Sequence, residues 1–145
     1  VSAFLLNRSS DLSFALVKNH PPKQADVLED YIVKNEKMNK SFVVPEGTKE
    51  AKLARLSYRV VGKSETFYLL EVELFTGRHH QIRCQLAHIG CPIRGDLKYG
   101  YPRSNPDASI SLHAWRIAFE HPVTKTQIEI MAPLPEIAPW TAFEV

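Results

Sequence analysis

The segment LFTGRHHQIRCQLAHIGCPIRGDLKYG, Leu74 to Gly100, gathers three histidines, both cysteines of the chain and four glycines among several basic residues. Each chemistry it could support makes its own geometric demand. His80, Cys84, His88 and Cys91 are zinc-type ligands at roughly one-turn spacing. On a helix, however, His80 and His88 stand about 12 Å apart along the axis, too far to share one tetrahedral ion. Gly77 and Arg78 at a helix start could hold a phosphate through backbone N–H groups and the helix dipole. Neither GxxxxGK[ST] nor GxGxxG occurs, so a nucleotide-binding fold is unsupported. Cys84 could act as a nucleophile only beside a base that the sequence alone does not place. Asp96 lies in a glycine loop, Arg94-Gly95-Asp96, where an aspartate usually satisfies backbone N–H groups. Arg83 flanks the apolar Ile82 and so stands at a core edge. A half-buried arginine needs an anion, because an unpaired buried charge is expensive. That partner is either a structural carboxylate, the favoured reading from physics alone, or a catalytic aspartate.

The elements that must position these groups are readable from period and punctuation. Ile82, Leu86 and Ile89 recur at i, i+4, i+7, which predicts a helix over His79 to Ile89. Thr76 is the expected N-cap, Gly90 the C-terminal glycine, and Pro92 follows the stop. Leu53 to Val61 and Thr66 to Leu74 predict a hairpin turning at Gly62-Lys63-Ser64-Glu65. Leu112 to Phe119 and Gln127 to Met131 predict a second hairpin. Ala3 to Asn7, Phe14 to Val17 and Ser41 to Val44 read as short strands. Ala25 to Val33 is an element of undecided type, and the proline-rich tail from Pro133 to Pro139 is expected along the surface. The sum is one α+β domain with a mixed, largely antiparallel sheet and flanking helices.

Totals narrow the partners. A chain of 145 residues, 44% hydrophobic, affords one core. Net charge is only +2, but Thr76 to Arg103 carries Arg78, Arg83, Arg94, Lys98 and Arg103 against Asp96 alone. One basic surface on a nearly neutral body suits a polyanion, nucleic acid first. Two cysteines seven apart form no disulfide framework, so the cytoplasm is the expected compartment. No apolar run is long enough to span a membrane, and no signal peptide is visible. Val1 in place of Met points to a processed or cut chain.

TGRHHQIRCQLAHIGCPIRGDLKYG closely resembles the TGR-x-HQIR…LA-x-x-G-x-P-I-x-GD…YG block of the RluA-type pseudouridine synthases. SLHAWRIAFEHPVT is similar to that family's LHA-x-x-L-x-F-x-HP-x-T block, at a fitting distance. FALVKNHPP looks like the end of its KxYxAxVxG-type strand, and DVLEDYIVKNEKMNKSFVV like the segment after it. The resemblance covers nearly the whole chain. It implies a pseudouridine synthase fold and isomerisation of uridine to pseudouridine in ribosomal or transfer RNA, with no metal, no cofactor and no obligate protein partner. It also implies that Arg83 pairs with the catalytic aspartate, that Ile82 packs on the flipped uracil, and that Arg78, Lys98 and Arg103 contact RNA. His113, Gly95, Asp96 and Tyr99 are expected to be structural.

Two departures bear on activity. The family's HRLD-type motif, which carries the aspartate, is absent, and Val1-Ser2 looks like its tail. The helix and Lys-x-Tyr that precede the FALV-like strand in the family are also absent, as NRSSDLS runs straight into FALV. The expectation is a single catalytic domain, incomplete before Val1 and between Ser13 and Phe14. The alternatives are a catalytically dead RNA-binding remnant and, less favoured, a zinc-binding domain.

Overall fold

Seven strands and one α-helix form the frame of the computed structural model, which describes residues 8–144. The strands are β1 (Arg8–Val17), β2 (Ala25–Asn35), β3 (Lys40–Val44), β4 (Lys52–Lys63), β5 (Tyr68–Leu74), β6 (Leu112–Glu120) and β7 (Gln127–Met131). They form a single sheet in the order β3-β2-β4-β5-β1-β6-β7. Every pairing is antiparallel. The α+β expectation holds, and both hairpins of the sequence reading are present. Ala25 to Val33, undecided from sequence, is strand, its ladder shared between β3 and β4. The Ala3 to Asn7 reading lies outside the described residues. Ser13 and Phe14 are consecutive residues of one strand, paired without interruption to Val72 and Glu71 of β5.

Period-two alternation sorts the sheet into two faces. On β5, Leu70 and Val72 point to one side and Leu69 to the other. The first side also collects Ala15, Val17, Leu28, Leu56 and Tyr58, and Ile82 and Leu86 of α1 (Gln81–His88) cover it. Leu56, Leu70 and Leu86 are fully buried. Each such leucine contributes about 1.5–3 kcal/mol of transfer free energy. One polar residue belongs to this layer. Gln85 is 0% exposed, and its amide donates to Asp30 Oδ2 (2.9 Å) and to the Ala54 carbonyl (3.2 Å). These bonds set the height of the helix over β2 and β4.

The helix is shorter than its apolar period suggests. His80 stands at φ 52°, in the left-handed region, so the helix cannot begin at His79. Thr76 is not its cap: the Thr76 hydroxyl accepts from the Arg55 N–H and donates to Gln81 Oε1. The other end follows the sequence signal. Gly90 has φ 86°, its N–H donates to Ala87, and the Cys91 N–H reaches back to Leu86, closing a Schellman turn.

The second face carries its own core of Phe14, Leu16, Leu69, Trp140 and Phe143, flanked by Trp115 and Leu134. Phe14 and Trp115 stack at 5.3 Å between centroids. Pro133 to Pro139 runs along the surface as expected, and the residues after it, Trp140 and Phe143, pack into this layer. They bury their large apolar area there against Phe14, Leu16 and Leu69.

Candidate active site

The turn between β5 and α1 is built by one buried side chain. Gln81 is 3% exposed. Its Oε1 accepts from the Thr76 hydroxyl (2.8 Å) and the Arg78 N–H (3.0 Å), and its Nε2 donates to the Arg55 carbonyl (3.1 Å). The Thr-Gly-Arg turn is thereby tied to β4, and the first turn of α1 is aimed at the loop that follows the helix.

Arg83 leaves that first turn and meets Asp96. Nε donates to Oδ2 and Nη2 to Oδ1, both at 2.8 Å, in a two-pronged pair. Asp96 is 1% exposed and Arg83 20%. The loop that holds Asp96 is itself backbone-bonded: the Tyr99 and Tyr101 N–H groups donate to the Asp96 carbonyl. Gly95 before it has φ 85°, with the Asn105 amide packed where a Cβ would sit.

A polar chain extends from this pair. Arg83 Nη1 lies 3.1 Å from His80 Nε2. A guanidinium only donates, so this nitrogen of His80 is the acceptor and Nδ1 carries the proton, donated to Tyr99 Oη at 2.9 Å. The same phenol oxygen accepts the Ser41 N–H at 2.9 Å. The Ser41 hydroxyl donates to the His79 carbonyl (2.8 Å) and meets His79 Nδ1 at 2.9 Å. The two imidazoles stack at 3.7 Å. Arg83 also lies 5.0 Å over the Tyr99 ring. Three distant pieces of chain, β3, α1 and the 93–101 loop, are locked together here.

The electrostatics follow from burial and one cation. Burial, helped by Arg83, pulls His80 down to about 4, so it is neutral near pH 7. His79 is lowered by burial as well. Hydrogen bonds to Asp96 raise Arg83 above its ordinary range. Burial pushes the Cys84 thiol up to about 11, which removes it as a nucleophile. Among the described residues no three His, Cys, Asp or Glu side chains are placed to hold a metal. The zinc reading loses its ligand set.

The sequence-derived residues fare unequally. Arg83 is at the centre, and among the described residues its carboxylate partner is Asp96. Ile82 is 7% exposed and packed among the sheet residues. The i, i+4 period that places it beside Leu86 also turns it into the core. Arg78 is exposed, with Nε donating to the Leu53 carbonyl at 2.9 Å. Lys98 ties its ammonium to the Met38 and Asn39 carbonyls at the β2–β3 turn. Arg103 is exposed and lies away from this network, in a groove with Arg94 and Tyr101. His113 is structural, its Nε2 bonded to the Ala132 carbonyl. Sequence reasoning missed Ser41 and the hydroxyl role of Tyr99. Nothing local marks a serine 58 residues away from the phenol it supports.

Comparison with known proteins points one way. The family model for RNA pseudouridylate synthase matches residues 12–88, more than half of the chain. An uncharacterized RNA pseudouridine synthase of Bacillus subtilis is 43% identical over 90 residues, 61% of this chain and 29% of that protein. Ribosomal large subunit pseudouridine synthase C of Vibrio cholerae is 32% identical over 127 residues, 83% of this chain and 39% of that protein. The chain thus spans about a third of the length of the curated relatives it matches. In fold it is similar to human RNA pseudouridylate synthase domain containing 1, with a TM-score of 0.75 at 22% identity, covering 94% of this chain and 59% of that one. The antiparallel sheet, the helix carrying HQIR and the match over residues 12–88 agree, and the chain belongs to the RNA pseudouridylate synthase family.

Proposed function

We propose that this protein isomerises uridine to pseudouridine in RNA. The observation that carries the reading is the family match over residues 12–88, which ends on the helix bearing the fixed Arg83. In the reaction the N1–C1′ bond breaks, the uracil turns over, and a C5–C1′ bond forms. N1 gains a proton and C5 loses one, so no atom or electron is supplied from outside. The target nucleotide must be flipped out of its stack, at a cost of a few kcal/mol. Relatives named for the large ribosomal subunit favour ribosomal RNA as substrate and the cytoplasm as compartment. Among the described residues no helix is long and apolar enough to cross a membrane.

The reaction calls for an aspartate that can reach the sugar. Asp96 does not suit it, being 1% exposed and held by Arg83. Asp11 is buried on β1. We place the aspartate in an HRLD-type segment before Val1, which intact mass and N-terminal sequencing of the purified protein would reveal. Arg83 then acts as a positioning residue, holding the 93–101 loop against α1. Arg78, Lys98 and Arg103 supply phosphate contacts. They favour RNA through a salt-dependent, sequence-independent attraction.

The test is tritium release from RNA labelled at uridine C5, since only C5-glycoside formation expels that hydrogen. Release from ribosomal RNA, lost in an Arg83→Met variant that still folds, is the expected result. RNA binding without release would leave the dead RNA-binding remnant as the better reading.

A further inference from the structure

The loop that seats Asp96 builds a second feature. Arg94, two residues earlier, donates from Nη1 to the Ser111 hydroxyl at 3.1 Å, and its guanidinium lies 5.6 Å over the Phe67 ring. Its backbone is fixed on both sides, N–H to the Leu16 carbonyl and carbonyl to the Ser111 N–H. Arg94 is therefore held in one orientation. Beside it a groove of about 520 Å³ is lined by Phe67, Arg94, Tyr101, Arg103, Asn105 and Pro139 among others. No carboxylate lines it. The acid that senses Arg94, Asp107, spends Oδ1 on the backbone and hydroxyl of Ser109. Arg103 has neither ion pair nor hydrogen bond among the described residues. The mechanism above uses Arg94, Phe67 and Tyr101 for nothing.

We infer that this groove is a subsite for one unpaired nucleotide of the RNA substrate, flanking the uridine that is modified. The inference rests on the proposal that the substrate is RNA. Two cations with no carboxylate between them attract a phosphodiester. The planar fork of Arg94, already held by Ser111 and lying over the Phe67 ring, loses little freedom on binding it. Tyr101 offers an aromatic face for a base, a sequence-tolerant contact typical of single-strand grooves. The volume lies within the range of small-ligand sites. The groove shares its loop with Asp96, so a nucleotide seated there would bear on the segment that fixes Arg83.

The experiment is binding of a fluorescein-labelled ten-residue oligouridylate to the purified protein, by anisotropy, between 50 and 200 mM KCl. Each phosphate contact in single-stranded RNA contributes about −0.7 to the slope of log K against log salt. Arg103→Gln should make that slope shallower by about 0.7, and Arg94→Gln with Arg103→Gln by about 1.4. Tyr101→Ala should weaken binding by roughly five- to a hundredfold at unchanged slope, and Tyr101→Phe should retain it. Arg103 has no partner to lose, so its variant tests the groove even if Arg94→Gln unfolds. Wild-type binding with an unchanged slope in Arg103→Gln overturns the subsite and the phosphate contact assigned to Arg103, and leaves uridine isomerisation in RNA standing. Uridine monophosphate binding as tightly as the oligomer would make this a mononucleotide site and overturn the inference. Absence of any oligouridylate binding by wild type would instead sink the RNA reading beneath it.

Discussion

Replacing Asp96 with asparagine removes one charge and keeps the shape. It isolates the ion pair on which the 93–101 loop is built. Asparagine can accept one guanidinium N–H through Oδ1, but its Nδ2 must then face a second donor across 2.8 Å. Arg83, only 20% exposed, is left without a carboxylate. Breaking one partner out of a buried pair costs about 3–5 kcal/mol. The solvent-facing edge of Arg83 lowers that to about 2–4 kcal/mol, still a large share of a typical 5–15 kcal/mol domain stability. At a urea m-value of about 2 kcal/mol/M, the midpoint should fall by roughly 1–2 M with m unchanged. Arg83→Met should cost a similar amount, because it strands Asp96 at 1% exposure. The double variant, with methionine facing leucine at position 96, should recover much of the loss, since a buried pair exchanges nearly evenly for apolar contact. A coupling of at least about 2 kcal/mol is expected from the cycle that the single variant Asp96→Leu completes. A midpoint shift worth less than about 1 kcal/mol for Asp96→Asn, or additive single costs, would refute the claim that this pair holds the site.

Two further outcomes follow from the same network. His80 is lowered to about 4 in the folded protein against about 6.5 when unfolded, so between those values the unfolded state binds more protons. Stability should therefore be intact above pH 6.5 and fall by about 1–2 kcal/mol toward pH 4, after discounting for solvent screening. His80→Gln should flatten that slope in urea titrations at each pH, and an unchanged slope would remove His80 as the cause. Gly95→Ala places a Cβ within 2.7 Å of the Asn105 amide and demands φ near 85° of alanine. A loss of about 2–4 kcal/mol is expected in thermal or urea unfolding. Adding Asn105→Ala should return the steric part and leave about 1–2 kcal/mol of backbone cost, and full recovery would show that the backbone carries no strain.

Much of the architecture was legible because its signals are local. Alternation and β-branching marked β4 and β5, the Ile82, Leu86, Ile89 period marked α1, and Gly90 marked its end. The TGRHHQIR block carried the family, since its residues sit together in sequence. The basic excess from Arg78 to Arg103 likewise needed no fold to be counted. Tertiary structure alone decided which side chains meet. Whether Arg83 found a structural carboxylate depended on the Gly95 turn carrying Asp96 back over α1. Ser41 reaches Tyr99 because β3 stands at the sheet edge beside the helix, a placement set by strand order and invisible in β3 itself. Trp140 and Phe143 became core because the fold lays them on the far face of the sheet, against Phe14, Leu16 and Leu69. Periodicity says which face of an element is apolar. Only the packed fold says what that face, or a charge at its edge, is packed against.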